Sequence, residues 1–147
     1  MPVPHLCHAP DANLTHRYKG MFAGNPARVL GDTGATHVFA SEEFVRGLGL
    51  PIGPARHAKV TLADGGASAI LGECQAKLSL DRFHTRTSAL VLTDMPPGID
   101  LILGDAFFRK HLARFEYNPP SLVLRKATET YRVLADRAPT ASPPRAI

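Results

Sequence analysis

One carboxylate stands out by its setting. Asp32 opens the turn Asp32-Thr33-Gly34, with Leu30 before it and Val38-Phe39 soon after. Asp followed by a small polar residue and Gly is common wherever a chain reverses, and an ordinary solvent turn needs no apolar flanks. Apolar residues on both sides pin this turn between two buried strands and hold its carboxylate at their mouth. A carboxylate so held can serve as general base or general acid, and two of them side by side can share one proton and activate water. The motif occurs once in the chain. Two later stretches fit the same site. Asp64-Gly65-Gly66 reads as a tight hairpin turn, small enough to fold over a ligand and exclude water. Ile102-Leu103-Gly104 reads as a buried strand end where Gly lets another backbone segment pass closely.

The remaining polar residues have simpler readings. Asp11, Asp81, Asp94 and Asp136 fall in expected loops or tails, where solvation explains them. Asp100 opens a strand and Asp105 opens a helix, so each is expected to make local hydrogen bonds, Asp105 as a helix cap. His37 beside the motif reads as a packing or surface residue, and no Ser-His-Asp arrangement suggests itself. His5, Cys7 and His8 lie together, but the sequence offers no second half of a metal site, so no metal and no cofactor are expected. Cys7 and Cys74 lack paired spacing; Cys74 reads as a small core residue.

The elements that must position Asp32 are short. Residues 14–22 and 27–31 read as a hairpin around Ala23-Gly24-Asn25-Pro26, and residues 37–40 as the strand after the turn. Ser41 is a good N-cap for a helix over about 42–48, with Glu42 and Glu43 in its first turn and Phe44, Val45 and Leu48 on one side. Residues 58–63 alternate, and residues 67–72 return as the second arm of their hairpin. Strands are expected at 76–80 and 87–92, with a turn near Asp81-Arg82 between them. A buried strand over 99–104, a short helix from Asp105 and a hairpin of 112–117 with 121–125 complete the pattern. The fold class is all-β, with one or two short helices. Residues 1–13 read as a disordered tail, 14–126 as the domain, and 127–147 as a Pro/Ala-rich tail or linker holding one alternating patch at 130–134.

Composition agrees. A hydrophobic fraction of 44% supports a core, while 13 prolines and 12 glycines argue for turns over long helices. The net charge of +4 comes from cations scattered along the sequence, such as Arg56, Lys59, Arg109, Lys110 and Arg125. That scatter reads as a solvated surface, and a nucleic-acid partner is not expected. No signal-like start and no apolar run near about 18 residues is present, so an intracellular, cytoplasmic protein or a piece of a polyprotein is expected, with no membrane partner.

The set Asp32-Thr33-Gly34-Ala35, Ala63-Asp64-Gly65 and Ile102-Leu103-Gly104 resembles the retropepsin-like aspartic proteases, in particular the protease segment of long-terminal-repeat retrotransposons. Thr36-His37-Val38-Phe39-Ala40-Ser41, with Phe44-Val45 and Leu48-Gly49-Leu50, is similar to the stretch after the catalytic Asp in that group. The resemblance spans about residues 15–126. It implies a closed β-barrel equivalent to one pepsin lobe, and a homodimer that brings two Asp32 carboxylates together to hydrolyse peptide bonds in a retrotransposon-type polyprotein. It assigns Asp32 as catalytic and Thr33 and Gly34 as supporting the turn. Ala35, Thr36, Asp64, Gly65 and Gly66 then contact an extended peptide. Gly31 departs from the family, which usually has an apolar residue there, and implies a looser strand under the carboxylate. The competing reading is a catalytically silent module of the same fold, used for dimerisation or peptide binding.

Overall fold

The computed structural model describes residues 15–55, 59–61 and 67–136. Strands Thr15–Phe22 (β1) and Asn25–Asp32 (β2) form the entry hairpin. It turns at Ala23-Gly24, both with positive φ (52° and 79°), so Asn25 and Pro26 already belong to the second strand. Phe39–Ser41 (β3) leads into the helix Glu42–Gly47 (α1), where the Ser41 hydroxyl accepts the Phe44 N–H at 3.3 Å, as expected of the cap. Val45 is buried, and Phe44 and Leu48 pack against the core beside it. Next come Lys59–Thr61 (β4), Ala67–Leu80 (β5), Phe83–Leu92 (β6) and Leu101–Leu103 (β7). The helix Asp105–Lys110 (α2) and strands Arg114–Tyr117 (β8), Pro120–Lys126 (β9) and Glu129–Leu134 (β10) end the fold.

Seven strands form one sheet in the order β1-β2-β7-β3-β6-β5-β4, and β1 also pairs with β5. That last pairing closes six strands into a barrel and leaves β4 as an outlying arm on β5. Strand β7 runs between β2 and β3, parallel to the first and antiparallel to the second. Its three residues Leu101, Ile102 and Leu103 are fully buried because neighbours cover both faces and both edges. The larger apolar core lies inside the barrel around Tyr18, Phe22, Leu78, Phe83 and Leu103. A smaller cluster of Leu30, Ala35, Phe39, Leu90, Leu92, Ile99 and Ile102 lies beneath the residues just after Asp32.

Three sequence expectations are corrected. The strands expected at 67–72 and 76–80 are one 14-residue strand, irregular only where the register shifts between Ile70 and Gly72. Gly72 marks the cause: a side chain there would run into the Gly53 carbonyl and Ile52, because residue 53 bridges to Glu73 with two 2.9 Å hydrogen bonds. Asp105 does not cap α2. Gly104 occupies the cap position, and the Asp105 carboxylate accepts from Arg109 Nε at 2.6 Å within the helix. The domain boundary expected at residue 126 falls inside a sheet, since β10 pairs with β9 along its whole length. Val133 is buried, and Tyr131 packs edge-on against Phe83 at 5.6 Å. Ala135 N–H donates to Pro120 O and Asp136 N–H to Arg17 O, so this end is fastened to β1. The tail expected at 1–13 lies outside the described residues, as do residues 137–147.

Candidate active site

Strand β2 delivers Asp32. It pairs with β1 on one edge and β7 on the other, which is why burial becomes continuous from Val29 to Asp32. The chain then turns sharply. Gly34 N–H donates to Asp32 Oδ1 at 2.8 Å and Ala35 N–H to the Asp32 carbonyl at 3.0 Å. An Asp side chain that takes a backbone N–H two residues on holds its own rotamer and the turn together. Only 4% of Asp32 is exposed within the single chain.

The rest of the loop is held from below. Asp105 N–H donates to Ala35 O at 2.7 Å and Ala106 N–H to Thr36 O at 2.9 Å. The first residues of α2 therefore grip the loop by its carbonyls, which also gives partners to amides a helix leaves unpaired. Gly104 permits the approach. A Cβ there would lie 2.5 Å from His37 O and 2.6 Å from Ala35 O, so any side chain displaces backbone.

The second support is Asp100. Its carboxylate accepts from Arg28 N–H at 2.8 Å, Nε at 3.1 Å and Nη2 at 2.9 Å, while Asp100 N–H donates to Arg28 O. Burial works to raise the Asp100 pKa, but the bonds from Arg28 outweigh it and hold the carboxyl below its usual range. The local hydrogen-bonding role expected for Asp100 is thus a clamp between β2 and the lead into β7.

Gly31 does not leave the strand loose. Where its Cβ would stand, the Tyr18 ring lies 3.1 Å away and the Phe108 ring 3.5 Å away, both buried. Two aromatic rings from β1 and α2 fill the space of the missing side chain. Neither ring could be assigned to this spot from the sequence, since nothing in the spacing of Tyr18 or Phe108 points to residue 31.

Of the expected site residues, Asp32, Thr33, Gly34 and Thr36 share this loop. Thr33 is exposed, while Gly34 and Thr36 are half-buried. Thr36 Oγ1 and His37 Nδ1 are 2.7 Å apart. Ala35 has no exposed surface and packs in the smaller cluster, so its side chain serves the footing of the loop. Asp64, Gly65 and Gly66 lie outside the described residues; the arms that carry them, β4 and β5, pair antiparallel from Thr61↔Ala67 to Lys59↔Ala69. Cys74 is buried as expected, and desolvation pushes its thiol up to about 11, assisted by Glu73.

A family model for aspartyl proteases matches residues 18–107, more than half of the chain. The chain belongs to this aspartyl protease family. The match runs from β1 into α2 and so contains the Asp32 loop and both of its supports. Among solved structures, the retroviral protease-like domain of Ddi1 from Leishmania major is similar at a TM-score of 0.63 and 14% identity, covering 82% of this chain and 93% of that one. A retropepsin-like aspartic protease from Rickettsia conorii gives a TM-score of 0.51 at 13% identity, covering 85% and 89%. No curated protein matches in sequence. The fold of this aspartyl protease family member is therefore retropepsin-like: one closed six-stranded barrel with two short helices.

Proposed function

We propose that this retropepsin-like domain is an aspartic endopeptidase that works as a symmetric homodimer. The observation that carries the reading is the Asp32 loop. One carboxylate, rotamer-locked by Gly34 N–H, sits on a loop held by α2, and the chain supplies it once. A two-fold axis passing beside that loop places Asp32 next to Asp32 of a second copy. Two carboxyls about 3 Å apart cannot both be ionised, so the pair shares a proton. The ionised member takes a proton from water as the water attacks the scissile carbonyl. The protonated member donates to the carbonyl oxygen, and the pair later returns a proton to the leaving nitrogen. The roles and the apparent pKa values belong to the pair. In this reading the exposed Thr33 hydroxyl reaches the partner's loop. Gly34 and Thr36 border the bound peptide. The resemblance of its motifs to retrotransposon proteases supports a polyprotein as the substrate class.

The test is cleavage of a peptide library from mildly acid to neutral pH, with sedimentation at micromolar concentration alongside. Wild type should cleave as a dimer, and Asp32→Asn should lower kcat by about a thousandfold. Cleavage that survives Asp32→Asn would sink the mechanism. A dimer that cuts nothing would make the domain a silent module.

A further inference from the structure

A second concave site lies away from Asp32. A groove of about 460 Å³ runs between β6 and α2, with His37 and Val38 at one end, Arg86, Thr87 and Ser88 along one wall, and Phe107 and Lys110 along the other. Asp32 does not line it. Its β6 wall is an open strand edge. Leu90 N–H donates to Val38 O at 2.9 Å, so residue 90 points its backbone groups to this edge, and alternate residues 88, 86 and 84 do the same. Strand β3 pairs with β6 only from Leu90 onward, and the Lys126 ammonium donates to His84 O at the far end. Between them, the Arg86 and Ser88 backbone N–H groups face the groove without a ladder partner among the described residues.

Arg86 and Lys110 line the groove together with Glu73, and Lys77 and Lys126 line an adjoining hollow that shares Arg86. Lys77 stands directly opposite Arg86 on the outer face of the β5–β6 pair, with Lys110 across the groove and Lys126 beside His84. All four are exposed, and like Arg17, Arg82 and Arg125 they make no ion pair among the described residues. Like charges directly opposite in a ladder are destabilising, so the Lys77–Arg86 pairing is unfavourable until an anion joins it. Cations scattered in the sequence thus converge on one strip.

We infer that this groove is an exosite that binds an extended acidic segment of the substrate polypeptide, as a strand added to the open edge of β6 with its carboxylates on Arg86 and Lys110. The inference rests on the protease reading for what the segment belongs to. Strand addition supplies backbone hydrogen bonds and the cations select acidic side chains. The groove includes His37, on the segment that continues from Asp32. A nucleic acid fits less well: among the described residues no exposed Phe, Tyr or Trp lines the strip for base stacking. A second copy of this basic chain would bring like charge to it.

The probe is a short fluorescein-labelled peptide alternating Glu and Val, titrated with the full chain carrying Asp32→Asn, with a Gln-for-Glu peptide as control. The acidic probe should bind about tenfold tighter than the control, and salt should erode the difference. Arg86→Glu with Lys110→Glu should abolish the preference. Ser88→Pro should weaken both probes, because it removes an outward N–H without touching the β5 ladder; circular dichroism and melting check that each variant folds. With active enzyme, an acidic extension on a cleavable peptide should lower KM about tenfold at unchanged kcat. Equal binding of the two probes, or binding indifferent to charge reversal, overturns the exosite. So does a single-stranded oligonucleotide of equal charge binding tighter than the peptide, or dimerisation that displaces the probe. An extension that leaves KM unchanged overturns the assignment to substrate. Because binding is read on the inactive chain, failed cleavage and failed probe binding are separate results.

Discussion

Gly31 and Gly104 both lie within reach of the Asp32 loop, and what surrounds each is of a different kind. Beside Gly31 the missing side chain is replaced by the rings of Tyr18 and Phe108. Beside Gly104 the space is taken by the carbonyls of Ala35 and His37, in a loop whose own position is fixed by hydrogen bonds. Rings can turn or shift by tenths of an ångström; carbonyls held in a loop cannot move unless the loop moves. The difference teaches that one glycine is a packing solution with several substitutes, and the other is a geometric requirement of the site.

Substitution should separate them. Gly104→Ala should cost about 3 kcal/mol or more, read by denaturant unfolding, because overpacking here meets backbone on two sides. It should also lose any activity in proportion to the displaced loop. Asp100→Ala comes next, at about 2 kcal/mol, since it leaves the Arg28 N–H without its acceptor. The folded pKa of Asp100 is depressed, so its contribution is full above the ordinary carboxylate range and lost as pH falls through the folded value. Asp100→Asn should therefore flatten the acid limb of the stability curve.

The ring-packed side should respond to milder acid. His16 lies opposite Gly31 in β1, and His111 packs between Phe83 and Phe107. Burial holds both imidazoles below their ordinary 6.5; at His111 the neighbouring Lys110 and Lys126 add to it, against one opposing backbone hydrogen bond. The unfolded chain then binds protons first, so stability is whole above pH 6.5 and drains as pH drops below it. The melting temperature should fall across that window, and His16→Phe with His111→Phe should remove much of the slope. Smallest is Gly31→Ala, expected to change stability by less than about 1 kcal/mol, as a slight crowding of Tyr18 offsets the lower entropy of the unfolded chain. An effect as large as that of Gly104→Ala would erase the distinction between the two glycines.

The sequence made the Asp32 turn, its apolar flanks and the need for Gly104 legible because each rests on local chemistry: a turn motif, an apolar run, a residue without Cβ. Ser41 as a cap was equally local. What stayed hidden depends on partners far along the chain. No spacing rule places Tyr18 and Phe108 against Gly31, or Arg28 on Asp100, 72 positions apart. The exposed cations at 77, 86, 110 and 126 looked scattered until β5, β6, α2 and β9 brought them together. The boundary at 126 was misplaced because the Pro/Ala-rich end masked the modest alternation of Thr130–Leu134, which becomes a strand only with β9 beside it.

The grip of α2 on the Ala35 and Thr36 carbonyls also sets an order of events at the ribosome. Asp32 leaves the exit tunnel first, and the amides that fix its loop belong to residues made about seventy positions later. At roughly 5–20 residues per second that gap lasts several seconds. Throughout it the nascent chain carries the aspartate without the frame that aims it. The loop takes its final form only when most of the barrel is already synthesised.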